Sequence, residues 1–367
     1  MVKRDPMATG KGQERLEADA IVIGGGVVGC AIASALASDR SLLLLETEKR
    51  LGEGITSRNS GVIHSGLYYA KGSLKALTCV EGNRLLYPWA AARGVGHARI
   101  GKLVVARDAE DLAALEALER NARECGAPGI ELVTRDFVRA KEPTLEAAAA
   151  LWCPESGIVD AVELARSFAA DATAKGAALV TSARVLAIER AAAGWLLQTE
   201  RGEIACAQLV NAAGLHADEV AALAGVSKYR IRPCRGDYFR LATKVRYRHL
   251  VYPVRRPGSL GLGIHLTLDL SGGARLGPDS EFVESKSDFS SREGKLPAFL
   301  EAGRRLLGDI GPGQLSYDSC GIRPKLEGQS DFVVSRDLPG LVNLVGIESP
   351  GLTASLALAR RVRDLLD

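Results

Sequence analysis

The hydrophobic pattern near the N-terminus predicts a strand, a glycine-rich turn, a helix and a second strand. The apolar run Ala20–Ile23 is followed by GGGVVG, residues 24–29, and then by small and apolar residues without a polar break. The next apolar run, SLLLLE, ends at Glu46. A strand, a G-x-G-x-x-G turn and a helix in this order are typical of a parallel sheet that binds a dinucleotide.

The remaining pattern predicts a second sheet of a different kind. Apolar residues recur at helical spacing in segments 73–94, 108–127, 162–177 and 215–225, and short apolar runs predict strands at 102–106, 177–191, 194–200 and 207–214. From about Arg230 to Asp279 strict alternation replaces the helices and predicts antiparallel strands, with a hairpin around Ser271-Gly272-Gly273. A helix over 296–308 and a strand, loop and helix over 341–366 follow.

Composition indicates a globular enzyme of two lobes. A chain of 367 residues that is 47% apolar can bury one large core or two linked ones. The net charge of +3 gives no field that would attract nucleic acid, and no apolar run suits a membrane span. Seven cysteines without a C-x-x-C pair favour reduced thiols and a cytoplasmic protein. The polar residues 1–17 are expected to form a flexible tail.

The glycine motif has a second feature in support, the acid at the end of the next strand. Glu46 lies twenty residues after Gly26, where a carboxylate can accept hydrogen bonds from a ribose diol. The alternative is a glycine-rich turn in an ordinary parallel sheet, with Glu46 solvated. The motif itself leaves NAD and FAD open, although the lack of C-x-x-C excludes a disulfide reductase.

The C-terminal loop GIESPGLTAS, residues 346–355, leads into a predicted helix. A helix N-terminus can stabilise negative charge, including that of a reduced flavin ring. The alternative is a helix that only packs against the sheet.

Three segments carry a resemblance to a known family. NSGVIHSGLYYAKGSLKALTCVEGNRLLYPWAAARGVGHARIGKLVVA, EPTLEAAAALWCPESGIVD and LVNAAGLHAD resemble FAD-dependent L-2-hydroxyglutarate dehydrogenases, within the D-amino-acid-oxidase-like flavoenzyme superfamily. The similarity extends from about Ala20 to the C-terminus. It implies an α/β (α+β) protein of two domains: a Rossmann-like FAD-binding domain of glutathione-reductase type and a substrate domain on an antiparallel sheet. The expected FAD-binding segments are 18–90, 155–228 and 330–367, and the expected substrate-binding segments are 91–154 and 229–329.

The resemblance also implies which residues hold non-covalent FAD. Those expected at the ADP half are Gly24, Gly26, Val28, Gly29, Glu46, Val185, Ala213 and Gly214. Those expected beside the flavin are Thr56, Ser57, Asn59, Ser60, Gly61, Val62, Gly346, Gly351, Leu352 and Thr353. Small residues at these positions let the backbone approach the ring.

The chain departs from the family pattern at three places. Arg58 stands where the family commonly has histidine, the proline and arginine that usually follow the G-x-H-x-T element are absent from GIHLTLDLSGGARLGPD, and the loop GIESPGLTAS lacks the usual proline-serine-proline-alanine form. These departures lie on the expected substrate side, which points to a sister branch.

Oxidation of a 2-hydroxy acid needs a base, and histidine suits it because its ordinary pKa is close to working pH. Alternation places His265 and Thr267 on one face of a strand and Leu266 and Leu268 on the other, so His265 suits a pocket wall, or else a solvated face. His64 lies in the expected flavin loop, as a base or as a structural hydrogen-bonding residue. The other three histidines, His97, His216 and His249, are expected on surfaces or at helix ends.

Cations are needed to hold the substrate carboxylates. The candidates are Arg58, Arg235, Arg323 and Lys325, and arginine is favoured because it can grip a carboxylate with two parallel hydrogen bonds. The alternative for each is a surface ion pair. Tyr68 and Tyr252 are expected to shape the pocket or donate a hydrogen bond. No spacing typical of metal ligands is present.

The leading hypothesis is an FAD-dependent dehydrogenase that oxidises L-2-hydroxyglutarate or a similar 2-hydroxy acid and passes electrons to a quinone or another acceptor. The second is an FAD-dependent amino acid or amine oxidase or dehydrogenase, and the third is a flavin-binding protein without turnover. Basic residues Arg360, Arg361 and Arg363 of the last helix allow peripheral contact with anionic lipid, although a solvated helix face is the ordinary reading.

Overall fold

The computed structural model describes residues 3–5, 15–255 and 261–367, and these divide into two compact units. The first contains the described residues up to Ser57, then Ala161–Arg232 and Pro324–Asp367, and the second contains Arg58–Asp160 and Pro233–Arg323. Both are discontinuous. The first boundary falls after Ser57 rather than after residue 90, so helix Leu74–Ala92 belongs to the second unit.

The first unit is built on a largely parallel sheet. Strand Arg15–Ile23 lies between Leu42–Leu45 and Gly202–Asn211 and runs parallel to both. Its apolar residues Ala20–Ile23 are buried, as is typical of a parallel strand that is covered on both faces. Parallel neighbours Ala178–Val180 and Leu341–Val345 and antiparallel strands Gly194–Thr199, Val185–Ala191 and Val333–Leu338 extend the sheet. Its helices are Val27–Leu36, Ala161–Ala174, Ala217–Leu223 and Gly351–Leu366, with a 3₁₀ turn at Gly214–His216.

The N-terminal segment differs from the flexible tail expected over residues 1–17. Lys3–Asp5 forms an antiparallel strand opposite residues 15–17. The neighbouring strand Leu42–Leu45 begins pairing only at Ala20, and Lys3–Asp5 pairs with the earlier residues 15–17. Residues 1, 2 and 6–14 lie outside the described part of the chain.

The second unit is built on a mostly antiparallel sheet, which confirms the predicted change of pattern. The hairpin expected around Ser271-Gly272-Gly273 pairs Leu266–Leu268 with Ala274–Leu276. The one parallel pairing among the described strands of this sheet joins Lys102–Ala106 to Leu250–Pro253. The remaining strands of the sheet are Glu131–Thr134, Ala149–Cys153, Ile231–Leu241, Glu281–Phe282 and Leu315–Leu326.

The helices and a small sheet complete the second unit. The helices are Leu74–Ala92, Ala109–Glu124, Arg135–Lys141 and Leu296–Leu307, with 3₁₀ turns at Glu293–Lys295 and Pro312–Gln314. Val62–Ile63, Gly157–Val159 and His97–Ala98 form the small antiparallel sheet. None of the described helices is both long and apolar enough to cross a membrane.

The two faces of the large sheet in the second unit differ in chemistry. Leu103, Val251 and Leu266 occupy adjacent strands on one face and belong to an apolar cluster with Phe239 and Phe299. Because successive side chains of a strand point to opposite faces, the other face receives Lys102, Tyr252, His265 and Thr267 beside buried apolar residues such as Val104 and Leu250. We call these four residues the polar face, and all of them are buried.

Candidate active site

The glycine loop of the first unit is shaped for close backbone approach. Gly24 has φ of +110°, a conformation that favours glycine, and a β-carbon at Gly29 would overlap with the carbonyl oxygen of Gly24. Helix Val27–Leu36 starts directly after this loop, and its N-cap residue Gly26 provides no side-chain cap. A helix N-terminus with glycine in front of it favours a phosphate group.

Two side chains meet the glycine loop from later segments. Glu46 accepts a hydrogen bond from the Gly25 N–H at 2.6 Å and a second one from the Glu48 N–H at 2.8 Å. Buried Thr56 accepts a hydrogen bond from the Val27 N–H at 3.0 Å. Both predicted residues therefore lie at the start of the glycine-loop helix.

The other residues of the first unit that are expected to bind the cofactor lie in loops and at strand ends. Gly214 has φ of +57° and begins a 3₁₀ turn after strand Gly202–Asn211, and the Ala213 N–H donates to Asn211 Oδ1 at 3.2 Å. Val185 is the first residue of its strand. Ser57 Oγ donates to the Gly54 carbonyl at 3.3 Å.

The C-terminal loop has the predicted form, in which a strand leads into a helix N-terminus. It follows strand Leu341–Val345, turns at Gly346 with φ of +72° and enters helix Gly351–Leu366, whose N-cap Pro350 provides no side-chain cap. Leu352 and buried Thr353 lie in the first turn of the helix. Lys325, a candidate for substrate binding, pairs with Glu348 of this loop at 3.0 Å.

The segment 59–62 forms a tight turn in the second unit. Asn59 Oδ1 accepts a hydrogen bond from the Gly61 N–H at 2.7 Å, and Gly61 has φ of +63°. A β-carbon at Gly61 would lie 2.8 Å from the Val159 carbonyl oxygen, so glycine is required. Ser60 Oγ hydrogen-bonds the Tyr238 hydroxyl at 3.0 Å, and Val62 is buried in the small sheet.

His265 is the best-defined base candidate of the polar face. Its Nδ1 lies 2.7 Å from the Gly263 carbonyl oxygen, which can only accept, so Nδ1 carries the proton and Nε2 has the free lone pair. The ring stacks on Tyr252 with ring centres 3.7 Å apart. Burial, with the positive charges of Lys102 and Arg323 as smaller causes, lowers the pKa of His265 to about 3 against the opposing effect of the Gly263 hydrogen bond. The ring is therefore neutral and able to accept a proton.

The depressed pKa of His265 makes stability depend on pH. The ordinary histidine pKa is 6.5 and the folded value is about 3, so the unfolded chain binds more protons between these limits. The free energy of unfolding is expected to decrease as pH falls below 6.5, by up to about 1.4 kcal/mol per pH unit for this one group. Thermal midpoints measured at several pH values should show a shallower acid decline in His265→Asn than in the wild type. His216→Asn, at an exposed histidine, should retain the wild-type slope, and equal slopes in all three proteins would contradict the assignment.

His64 and Tyr68 lie close to the polar face. Burial lowers the pKa of His64 well below its usual range, with further lowering by Lys102 and His265, and burial raises the pKa of Tyr68. The main-chain carbonyl of His64 accepts a hydrogen bond from Asn83 Nδ2 at 2.9 Å, so the loop is held through its backbone. His64 stays a second base candidate.

The structure separates the arginine candidates. Arg235 is fully buried and donates to Asp237 Oδ1 at 2.7 Å, to the carbonyls of Asp288 and Ser290, and to the Tyr317 hydroxyl. These partners occupy the guanidinium, and this geometry favours a structural role for Arg235. Arg323 donates to Ser280 Oγ at 3.1 Å and to the Asp279 carbonyl at 3.0 Å, both of which are neutral acceptors. Exposed Arg58 lies over the Phe289 ring, 4.1 Å from its centre.

Substitution should distinguish the role of Arg235 from that of Arg323. Arg235→Met leaves buried Asp237 with Lys295 as a cation partner and the carbonyls of Asp288 and Ser290 without the arginine donor, and is expected to cost about 1–3 kcal/mol of stability. Arg323→Met removes no ion pair found among the described residues, so it should affect carboxylate binding more than stability. Thermal unfolding and substrate titration of both variants check this, and a larger loss of stability in Arg323→Met would contradict it.

The other histidines are partly as expected. His216 is exposed, as expected, and lies 3.0 Å from Glu219. The expectation for His97 is wrong, because this residue is half-buried in strand His97–Ala98 and its Nδ1 lies 2.8 Å from the Val95 carbonyl oxygen. The surface or helix-end position expected for His249 is wrong, because this residue directly precedes strand Leu250–Pro253, its side chain is 13% exposed and Nδ1 lies 2.8 Å from buried Glu142. Glu142 also accepts the backbone N–H groups of residues 248 and 249. This contact ties helix Arg135–Lys141 to the strand that begins at Leu250.

Sequence reasoning missed Lys102, a buried member of the polar face. Every residue of its strand, Lys102–Ala106, is buried, so no alternation indicated which face the lysine would occupy. A lysine at the start of an otherwise apolar run was the one available sign, because lysine is almost never fully buried without a partner.

Comparison with known proteins agrees with this geometry. The family model described as FAD dependent oxidoreductase (DAO) matches residues 19–365. The chain belongs to this family. The chain is an FAD-dependent oxidoreductase. It is 35% identical to the mitochondrial L-2-hydroxyglutarate dehydrogenase of Arabidopsis thaliana, over 94% of this chain and 82% of that protein. It is 34% identical to the L-2-hydroxyglutarate dehydrogenase of Salmonella houtenae, over 82% of this chain and 75% of that protein.

A solved structure shows the same fold with the cofactor. The dithionite-reduced L-alpha-glycerophosphate oxidase of Mycoplasma pneumoniae, with FAD bound, superposes with a TM-score of 0.89 at 25% identity, covering 95% of this chain and 94% of that chain. FAD is accordingly the cofactor of this FAD-dependent oxidoreductase. The residues present fit it, because the glycine loop leaves no room for side chains and the N-cap residues Gly26 and Pro350 of the two helices make no side-chain cap.

Proposed function

We propose that this enzyme oxidises an L-2-hydroxy dicarboxylate, L-2-hydroxyglutarate or a close analogue, to the corresponding 2-oxo acid. The observation that carries the proposal is 35% identity with an L-2-hydroxyglutarate dehydrogenase over 94% of the chain. The chemistry of the second unit supports it. A buried neutral histidine, an arginine bonded to neutral acceptors and a polar sheet face suit an acidic substrate with a hydroxyl group.

In this proposal each residue has one task. His265 Nε2 accepts the hydroxyl proton of the substrate, and the Gly263 carbonyl keeps the ring in the required tautomer. Arg323 binds a substrate carboxylate, and Tyr252 fixes the plane of the histidine ring by stacking. Bound FAD supplies the hydride acceptor. We further propose that Gly24, Gly26, Val28, Gly29 and Glu46 hold its ADP half, and that it is held without a covalent bond.

Anaerobic flavin reduction tests the substrate. Mixing the holoenzyme with L-2-hydroxyglutarate should bleach the yellow flavin absorbance, whereas the D enantiomer should react far more slowly. Reduction by glycine or D-amino acids together with none by hydroxy acids would replace the proposal with amino acid oxidation. Persistent colour across a panel of both classes would indicate a flavoprotein without this turnover. A quinone analogue added to the reduced enzyme then tests the proposed acceptor by return of the colour.

A further inference from the structure

Lys102 is a buried cation whose ammonium group lacks hydrogen-bonding partners. Its exposure is 0%, and its Nζ has no acceptor among the residues that the structure describes. Nζ lies 5.3 Å from the centre of the Tyr68 ring and 4.9 Å from that of the Tyr252 ring. Ring faces attract a cation but replace only part of the hydrogen bonding that its three N–H donors lose on leaving water. Burial of the Lys102 ammonium group therefore costs free energy of folding, and a functional role would explain why lysine is present at this position.

Two further hydroxyl groups are also unsatisfied, that of Tyr68, whose ring lies next to Lys102, and that of Thr267, which shares the polar face with Lys102 two strands away. The Tyr68 hydroxyl and Thr267 Oγ1 are buried and have no hydrogen-bonding partner in the described part of the chain. Proteins pair the large majority of such groups, so three unpaired donors on and beside one sheet face need an explanation. No carboxylate among the described side chains pairs with Lys102. What these three donors lack is a group with negative charge and several acceptor oxygens.

We propose that Lys102 Nζ, together with the Tyr68 and Thr267 hydroxyls, binds a carboxylate of the substrate. This rests on the proposed function and deepens it, because a dicarboxylate needs a second cation besides Arg323. Hydrogen bonds from charged and hydroxyl donors to a carboxylate would satisfy all three groups at once. The preference for a dicarboxylate over a monocarboxylate would then originate at Lys102.

A carboxylate at Lys102 would also affect the base. The positive charges of Lys102 and Arg323 disfavour protonation of His265, and burial has the same effect. Neutralising Lys102 with a substrate carboxylate weakens this repulsion and makes His265 a stronger proton acceptor. Substrate binding would thereby activate the residue that acts on it.

The test uses the oxidised holoenzyme and ligands that do not react. Calorimetric titration with glutarate and with butanoate measures the preference for a second carboxylate in the wild type, in Lys102→Met and in Lys141→Met. Lys141 is the matched control, because its Nζ also lies 4.9 Å from the centre of an aromatic ring, that of Trp152, but it is not fully buried. We expect Lys102→Met to weaken glutarate binding about 10- to 100-fold, to leave butanoate binding almost unchanged and to abolish the preference.

Stability provides the second measurement. Lys102→Met removes a buried unpaired charge, so its FAD content should equal that of the wild type and its thermal midpoint should be equal or higher. A variant that loses FAD or unfolds at lower temperature would show that Lys102 is structural and would overturn the proposal, as would unchanged glutarate affinity.

If glutarate affinity depends on Lys102 but no 2-hydroxy acid reduces the flavin, the subsite is supported and the proposed reaction is excluded. If L-2-hydroxyglutarate reduces the flavin while Lys102→Met binds glutarate like the wild type, the reaction stands and the subsite fails.

Discussion

His265→Asn is expected to slow flavin reduction by L-2-hydroxyglutarate by about 10²- to 10⁴-fold, the usual contribution of a general base. The amide N–H of asparagine can still donate to the Gly263 carbonyl, but the variant has no counterpart of the Nε2 lone pair. Stopped-flow mixing at saturating substrate measures the rate of bleaching. The flavin spectrum and FAD content should be unchanged, because the substitution leaves the glycine loop intact.

His97→Asn is the matched control for this experiment. His97 is in the same unit and has the same local contact, from Nδ1 to the carbonyl oxygen two residues earlier, at 2.8 Å. The flavin of the His97→Asn variant should be reduced by L-2-hydroxyglutarate at the wild-type rate. Equal rates for the wild type and both variants would exclude His265 as the base and direct attention to His64.

Gly29→Ala is expected to weaken FAD binding about 5- to 150-fold, which corresponds to the roughly 1–3 kcal/mol that overpacking costs. The added methyl group would overlap with the Gly24 carbonyl, so the loop must move away from the geometry that accepts a phosphate. The ratio of flavin to protein after purification, and titration of the apoprotein with FAD, measure the effect.

Gly313→Ala provides the control for the glycine loop. A β-carbon at Gly313 would meet nothing within 4 Å, so this variant should keep full FAD content. If Gly29→Ala also keeps full FAD content and affinity, the glycine loop does not bind the cofactor in the proposed way.

The glycine loop and the C-terminal loop were predictable because the sequence patterns that indicate them are local. The glycine loop, Glu46 and the C-terminal loop each follow from a short stretch of sequence in which strand, turn and helix are adjacent. Alternation also placed His265 and Thr267 together, opposite Leu266, and the structure has both of them buried on the polar face. These features need no knowledge of distant contacts.

The substrate side was less predictable because its residues are defined by partners far away in sequence. Nothing local distinguishes Arg235 from Arg323, yet Arg235 is committed to carbonyls at residues 288 and 290. His249 depends in the same way on Glu142. The boundary after Ser57 has a similar origin, because the small sheet places strands on either side of helix Leu74–Ala92 in the second unit.

The parallel pairing of Lys102–Ala106 with Leu250–Pro253 determines when the second unit can fold. Lys102 lies opposite Leu250, so these strands meet only after the whole of the intervening chain has been synthesised. Contacts of such long range form slowly, since a large loop must close first. Until then Lys102–Ala106 is an apolar strand with an open edge, a typical template for aggregation. A nascent chain that stops before Leu250 should therefore require chaperone protection, and the face that carries Lys102 and His265 would be among the last parts of the enzyme to form.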